Sequence, residues 1–173
     1  MENSKLLTTI VLSLLSGIAG SVIGAIIGSI ATLKAAKISL DGLYKQGKEE
    51  RRIESKKKNL IVIHSLIKEL KENQSISKDL PNNPFKHIVM SREAWSIYKG
   101  NISFMTEKLQ INLPLTYALI AEYNSILEYD RAYLSHGEGY NNEKIAKRAE
   151  KFRDNVDKVI NELEKMRLQI EKK

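Results

Sequence analysis

Arg131 and His136 are the two residues whose types and spacing best suit chemistry, and they stand in the sequence DRAYLSH with four residues between them. Histidine moves protons near neutral pH, and the planar fork of arginine binds phosphate oxygens. In the structural alternative, Arg131 pairs with Glu128 or Asp130, and His136 ends its helix. Five residues along a helix turn by about 140°. The pair therefore meets only if His136 leaves helical geometry or a second subunit supplies the partner.

The element that must position this pair is a long helix. Pro114 suits the first position of a helix, and Gly137 and Gly139 suit its end after His136. Two apolar seams follow its length: Leu115, Leu119, Ile126 and Tyr133 form the first, and Ile120, Leu127 and Leu134 form the second. A helix that is apolar on more than one side is predicted to lie centrally in a bundle.

Three further helices are predicted around it. Residues 59–74 and 91–99 show helical periodicity, and residues 77–90, which contain Pro81 and Pro84, read as a loop. We expect His64 and Trp95 in the core, and Ser91 as a helix cap. The last helix follows Asn142 as its cap and extends to about residue 170. Its seam consists of Ile145, Ala149, Phe152, Val156, Val159, Leu163, Met166 and Ile170.

An uncharged segment at the N-terminus covers residues 6–33, which carry no ionisable side chain. A bilayer's hydrocarbon core is about 30 Å thick, and about 20 apolar residues in a helix cross it. A cleaved signal peptide is the competing interpretation, but its apolar region is only about 7 to 15 residues long. We therefore predict a retained transmembrane helix over residues 1–34.

A row of small residues recurs every fourth position in this helix. In lipid, such rows let helix backbones approach closely, and this drives association. The row consists of Ser16, Gly20, Gly24, Gly28 and Thr32. It predicts a homo-oligomer, and two interpretations stay open: an anchor that pairs, or a ring of helices around a lumen. The second would form a small or apolar-gated pore, because no charged residue lines the segment.

Charge predicts the orientation of this helix. The N-terminal flank carries only the α-amine, Glu2 and Lys5, and positively charged flanks stay on the cytoplasmic side. The basic residues expected at the membrane surface are Lys34, Lys37, Lys45, Lys48, Arg51 and Arg52. We therefore predict an inner (cytoplasmic) membrane protein with its N-terminus outside and its C-terminal domain in the cytosol. RNA binding by the same basic residues is an alternative that no interleaved aromatic residues support.

The complete sequence predicts an all-α protein in three parts: a transmembrane helix (1–34), a basic juxtamembrane segment (35–58) and a small cytosolic helical bundle (59–173). No strand-like alternation occurs. With no cysteine and three widely separated histidines, we expect no metal site. We expect no cofactor either, because no glycine-rich phosphate loop is present. A conventional metabolic enzyme is therefore disfavoured.

This combination of one N-terminal transmembrane helix, a basic segment, a small helical domain and the Arg131–His136 pair resembles the membrane-anchored accessory proteins of type VI-B CRISPR systems. The pair is similar to the signature of HEPN ribonuclease domains, in which arginine precedes histidine by four to six intervening residues. The resemblance implies a HEPN-like bundle and a ring-shaped membrane pore that strengthens RNA-guided antiphage defence beside a CRISPR nuclease. It also implies that His136 would move the proton of an RNA 2′-hydroxyl or of the leaving oxygen while Arg131 holds the phosphate.

Three functions remain open from the sequence. The first is an oligomeric pore or membrane-depolarising effector, and the second is a membrane-anchored scaffold that binds a cytosolic protein. The third is a tethered, metal-independent ribonuclease. Active HEPN domains carry the pair on a helix that faces a dimer partner, whereas here it precedes the Gly137-Glu138-Gly139 sequence. The resemblance therefore leaves open whether the pair is catalytic or serves packing.

Overall fold

The computed structural model of the protein describes residues 2–79, 88–133 and 142–172, and it confirms the all-α fold class. The elements are α1 (Glu2–Asp79), α2 (Glu93–Tyr98), a 3₁₀ turn (Lys99–Asn101), α3 (Glu107–Tyr133) and α4 (Asn142–Lys172). No strand occurs in the described ranges. The chain divides into two compact units, Met1–Ile53 and Glu54–Lys173. Each unit is described separately below.

In the N-terminal unit, α1 carries an apolar surface that is exposed along its described residues. The helix is long and apolar enough to cross a membrane, and none of its most apolar stretch is buried. Leu12 is 64% exposed and Leu33 is 71% exposed. A helix suits hydrocarbon because all of its backbone hydrogen bonds are internal. The helix expected over residues 6–33 is therefore present and available to lipid.

The same helix continues through the basic segment that follows the apolar stretch. Gly42 and Gly47 both lie inside α1, although each glycine costs a helix about 1 kcal/mol relative to alanine. Favourable side-chain contacts oppose this cost. The Arg52 guanidinium donates two hydrogen bonds to the Glu49 carboxylate, at 2.9 and 2.7 Å. That contact holds the pKa of Glu49 below its usual range.

The core of the C-terminal unit is built from residues 54–79 of α1 together with α2, α3 and α4. Its buried apolar residues recur at spacings of three and four on each long helix. They are Val62, Ile63, Leu66, Ile67 and Leu70 on α1; Leu109, Leu113, Tyr117, Ile120, Tyr123 and Leu127 on α3; and Ile145, Ala149, Phe152, Val156, Val159, Ile160, Leu163 and Met166 on α4. The seam predicted for the last helix is confirmed, with Ile170 partly buried.

The short helix α2 places Trp95 in this core, as predicted. The indole stacks on the ring of Tyr117, with ring centroids 4.8 Å apart and ring planes 8° apart. The predicted cap at Ser91 was wrong, because Arg92 occupies the N-cap position of α2 and makes no side-chain cap bond. The Ser91 hydroxyl accepts the N–H of Glu93 at 3.3 Å. The helix ends at Tyr98, and Gly100 lies in the 3₁₀ turn that follows.

Two predictions about α3 were wrong. The helix begins at Glu107, where the Thr106 hydroxyl accepts the N–H of Leu109 at 3.4 Å, so Pro114 lies inside it rather than at its first position. The earlier start brings Leu109 and Leu113 into the core. Leu115 follows Leu113 by two residues, about 200° around the helix, and is 60% exposed instead of buried.

The prediction that His64 lies in the core was also wrong. Its side chain is exposed, because the buried residues Val62, Ile63 and Leu66 face the opposite side of α1. Outside the described residues lie Pro81, Pro84, His87 and part of the loop predicted over residues 77–90. The start of the predicted loop was wrong, because α1 continues through residues 77–79; residues 88–90 are non-helical, as expected, and the non-helical segment extends to residue 92.

A buried asparagine, Asn73, and a half-buried one, Asn124, hold this non-helical segment against the bundle. The Asn73 side chain accepts the N–H of Ser91 and donates to its carbonyl, both at 2.8 Å. Asn124 does the same for Met90, at 2.9 and 2.8 Å. Each side-chain amide thus makes the two hydrogen bonds that another backbone segment would make to this residue's N–H and carbonyl. The hydroxyl of Tyr123 adds a third contact by donating to the Ile88 carbonyl at 3.0 Å.

Tyr123 makes stability sensitive to alkaline pH. Burial raises the pKa of Tyr123 to about 12, against about 10 in an unfolded chain. The neutral phenol is therefore favoured by folding, so its contribution is complete below about pH 10 and is lost as pH rises through about 12. We expect Tyr123→Phe to lose about 1 kcal/mol at pH 8 and to show a shallower decline from pH 10 to 12. Urea unfolding of the full chain in detergent, followed by Trp95 fluorescence, measures both.

The matched control for this experiment is Tyr44→Phe, because Tyr44 is 69% exposed and lies outside the bundle unit. This variant should follow the wild-type curve at every pH. A Tyr123→Phe curve parallel to wild type above pH 10 would contradict the role given to the buried phenol.

Candidate functional site

The predicted association row of α1 forms an open groove on the helix surface. A Cβ atom added at Gly20, Gly24 or Gly28 meets no other atom within 4 Å. The three positions share one side of the helix, because residues four apart differ by only about 40°. A second backbone could approach this groove more closely than it could approach the leucine and isoleucine side chains elsewhere on the helix.

The hydroxyl groups that the structure describes in the apolar stretch bond to the helix's own backbone. Ser16 donates to the carbonyl of Ser13 at 2.9 Å, and Thr32 donates to the carbonyl of Gly28 at 2.8 Å. Ser13, Ser21 and Ser29 make the same kind of bond. These bonds satisfy the hydroxyls inside lipid without a partner helix, so hydroxyl content alone does not indicate a polar lumen.

The basic residues predicted at the membrane surface are all exposed on the continuation of α1. At about 100° per residue, four of them fall on one side of the helix. These four, called the basic face below, are Lys34, Lys45, Lys48 and Arg52. Lys37 and Arg51 flank this face. A helix that presents cations in this way can contact anionic headgroups close to the point where it leaves a bilayer.

The candidate pair Arg131 and His136 is described only in part. Arg131 lies in the last turn of α3 with its side chain exposed. Its positive charge acts on Tyr123, because it lowers the pKa of that phenol against the larger effect of burial. His136 lies outside the described residues, so its distance from Arg131 stays undetermined. Both interpretations of the pair remain predictions.

Sequence reasoning missed a buried carboxylate that joins three parts of the bundle. Glu69 on α1 is only 5% exposed. Its carboxylate accepts the hydroxyls of Tyr117 at 2.7 Å and Ser91 at 2.8 Å, and the N–H groups of Ala94 at 2.8 Å and Trp95 at 3.2 Å. The last two belong to the first turn of α2, where a negative charge is favoured. We call this group the Glu69 hub.

The Glu69 hub keeps the Tyr117 phenol neutral. Burial first, and then the hydrogen bond to the carboxylate, raise the pKa of Tyr117 far above its usual range. Because all the donors come from the chain itself, the arrangement fixes α2 against α1 and α3 rather than presenting an acid to a substrate. The signal in the sequence is that Glu69 falls in the same core-facing row as Val62 and Leu66.

A cleft with a volume of about 520 Å³ lies between α1 and the turn that follows α2. Its lining includes Lys58, Asn59, Ile61, Tyr98 and Phe104. These residues offer apolar contact and one cation but no paired acid and base. The cleft therefore suits binding rather than proton-transfer chemistry.

Within the ranges that the structure describes, no three histidine, aspartate or glutamate side chains are grouped to hold a metal ion. The described geometry thus consists of a lipid-length helix with an open groove, a basic face and a helical bundle fixed by a buried carboxylate. No protein-family model, curated protein or solved structure matches this chain, so its function has to be argued from these residues.

Proposed function

We propose that this protein is a single-pass membrane protein that oligomerises through α1 and acts as a pore or membrane-depolarising effector. The observation that carries the proposal is the open groove at Gly20, Gly24 and Gly28 on an uncovered apolar helix. Apolar side chains gain nothing by leaving lipid for one another, whereas close backbone approach does stabilise helix pairs. A groove of this kind favours self-association over simple anchoring.

The proposed topology places the N-terminus outside and the bundle in the cytosol of an inner-membrane protein. The basic face and its flanking cations support it, because Lys and Arg are retained on the cytoplasmic side. Each cation near an anionic leaflet contributes on the order of 1 kcal/mol of attraction. Because α1 continues without a break past the apolar stretch, Lys34 and Lys37 would lie closest to the lipid headgroups.

The resemblance to type VI-B accessory proteins supplies the biological setting of the proposal. Under it, the bundle is HEPN-like, the partner is an RNA-guided CRISPR nuclease, and depolarisation strengthens antiphage defence. The all-helical bundle and the single lipid-length helix are compatible with that setting. Co-expression with such a nuclease tests it, because depolarisation should increase only when the nuclease is active on its RNA target.

The experiment that tests assembly is the mass of the full chain in mild detergent, combined with membrane potential in cells that overproduce it. We expect a discrete particle of several subunits and a fall in potential that a voltage-sensitive dye reports. A particle of one subunit with normal potential would contradict the proposal. A particle with the mass of one chain that still associates with lipid would support a simple membrane anchor and contradict the pore.

A tethered ribonuclease is a separate and less favoured candidate. It requires Arg131 to hold phosphate and His136 to move the proton, so the reaction needs no metal. We expect Arg131→Ala and His136→Ala each to lower RNA cleavage at least about 100-fold if the pair is catalytic. The assay uses the full chain with chelator present, with and without an active nuclease. Intact RNA in both conditions would contradict the ribonuclease activity and favour a packing role for the pair.

A scaffold that binds a cytosolic protein is the second candidate. It is favoured by the outward side of α3, where Ile111 and Leu115 are 55% and 60% exposed beside the exposed Ala118. An uncovered apolar strip of this kind suits a protein partner. A particle of one or two subunits that carries one stable cytosolic protein would favour the scaffold over the pore.

A further inference from the structure

A second apolar row follows the membrane-spanning stretch on α1. It consists of Leu33, Ala36, Leu40, Leu43 and Gly47, called the juxtamembrane seam below. The spacings of three and four residues alternate, which is the pattern that keeps one side of a helix facing a parallel partner. Leu40 is 66% exposed and Leu43 is 62% exposed, so the described residues leave these two leucines of the seam uncovered.

Lipid tails do not reach most of this seam. Residues 6–33 extend about 42 Å at about 1.5 Å per residue, which exceeds the roughly 30 Å hydrocarbon core. Leu40 and Leu43 lie a further 10 to 15 Å or so along the same axis. Because α1 does not break between the apolar stretch and this row, the helix cannot turn into the membrane plane to bury it.

We propose that the juxtamembrane seam of one chain packs in parallel against the juxtamembrane seam of a second copy. The inference rests on the proposed function, since it requires copies that share a bilayer. A membrane gives every copy the same direction and the same height, so Leu40 meets Leu40 and Leu43 meets Leu43. The seam is only about two heptads long and would be weak in solution, but tethering to one bilayer raises the effective concentration of its partner.

The charges along α1 support this pairing and set where it ends. The basic face lies on the side of the helix away from the seam, so paired seams keep these cations apart. The next seam position after Gly47 is Glu50, and Glu54 follows four residues later. In a parallel register each glutamate would face the same glutamate of the second copy. Like charges in such positions destabilise the pairing of the two helices. The seam therefore ends at Gly47.

The seam and the glycine groove lie on nearly opposite sides of α1. Gly24 and Leu40 are 16 positions apart in the sequence, which corresponds to about 160° around the helix at about 100° per residue. One neighbour cannot occupy both surfaces. A chain that uses the groove with one copy and the seam with another has two neighbours, so the assembly extends beyond a pair.

Disulfide scanning tests the seam directly, because the chain contains no cysteine. The full chain is reconstituted in lipid vesicles and oxidised mildly. We expect Ala36→Cys, Leu40→Cys and Leu43→Cys to form cross-linked dimers at least about 5-fold faster than Asp41→Cys and Lys45→Cys, which face away from the seam. Equal rates at all five positions, or a maximum on the basic face, would overturn the proposal.

Particle mass separates failure of the seam from failure of the proposed function. We expect the double change Leu40→Glu with Leu43→Glu to reduce the mass of the detergent particle about twofold or more, to no more than two subunits. The matched control, Lys48→Glu, alters charge on the basic face and should preserve the mass. An oligomer that the double change leaves intact contradicts the seam alone. A wild-type particle of one subunit contradicts both the seam and the proposed function.

Discussion

The Gly24→Leu variant is expected to lose assembly of the full chain and, with it, the fall in membrane potential. A leucine at this position fills the centre of the glycine groove and prevents close approach of a second backbone. The chain itself tolerates the change, because a Cβ at Gly24 meets nothing within 4 Å. The helix also gains about 1 kcal/mol of intrinsic propensity from the loss of glycine. Any loss of assembly therefore reports on contact between chains.

We expect self-association to weaken at least about tenfold, measured as the fraction of chains in large particles at fixed detergent concentration. The matched control is Ala25→Leu, which adds a similar side chain one position further along, about 100° around the helix. It should retain both assembly and depolarisation. If Gly24→Leu and Ala25→Leu behave alike, the groove is not the contact surface, whatever the particle mass.

How far the fold follows from the sequence depends on how regular each periodic pattern is. The seam of α4 is regular from Ile145 to Met166, and its burial agrees with the prediction throughout. The pattern succeeds there because no residue in α4 interrupts the helix and each position of the seam from Ile145 to Met166 faces the core. The lipid-length helix is predicted equally well, since composition alone separates residues 6–33 from the rest.

The start of α3 could not be predicted from Pro114, because proline marks a helix start only when earlier residues disfavour the helix. Here the residues from Glu107 onward are helical, and the Thr106 hydroxyl serves the first turn. Pro114 has no N–H, so the helix loses only the hydrogen bond that residue 114 would donate to the Gln110 carbonyl. Pro114 itself lies at an exposed position of the helix. Without the first turn, the prediction lacked Leu109 and Leu113, whose burial shows that Leu115 lies on the outer side of the helix.

Buried polar residues are the part of the bundle that periodicity cannot predict. Asn73 and Asn124 occupy buried or half-buried positions, and their amides bond the backbone of the segment that contains Met90. A pattern of apolar residues counts them as breaks in a seam. The hydrogen-bond partners of these asparagines depend on the path of a non-helical segment. Local sequence rules do not predict that path. The same reasoning explains why the pair Arg131 and His136 stays a prediction, since it depends on the path that follows α3.

Replacing Glu69 by alanine is expected to destabilise the bundle by about 3 to 5 kcal/mol. The change leaves the buried hydroxyl of Tyr117, the half-buried hydroxyl of Ser91 and the N–H groups at the start of α2 without their acceptor. Each hydrogen bond to a charged group contributes about 1.5 to 3 kcal/mol, and each buried donor left unpaired carries a further penalty. A loss of this size is a large share of the 5 to 15 kcal/mol that roughly bounds a domain's stability.

Urea unfolding of the full chain in detergent, followed by circular dichroism, measures this loss. The control Glu72→Ala removes a carboxylate that is 58% exposed within one turn of Glu69, and should change stability by less than about 0.5 kcal/mol. Glu69→Gln should fall between the two, since its amide oxygen serves only some of the donors. The double change Glu69→Ala with Tyr117→Phe should cost less than the sum of its parts, because the phenylalanine no longer buries an unpaired hydroxyl. Additive losses would show that Glu69 and Tyr117 act independently, and the hub would then hold α2 through its backbone contacts alone.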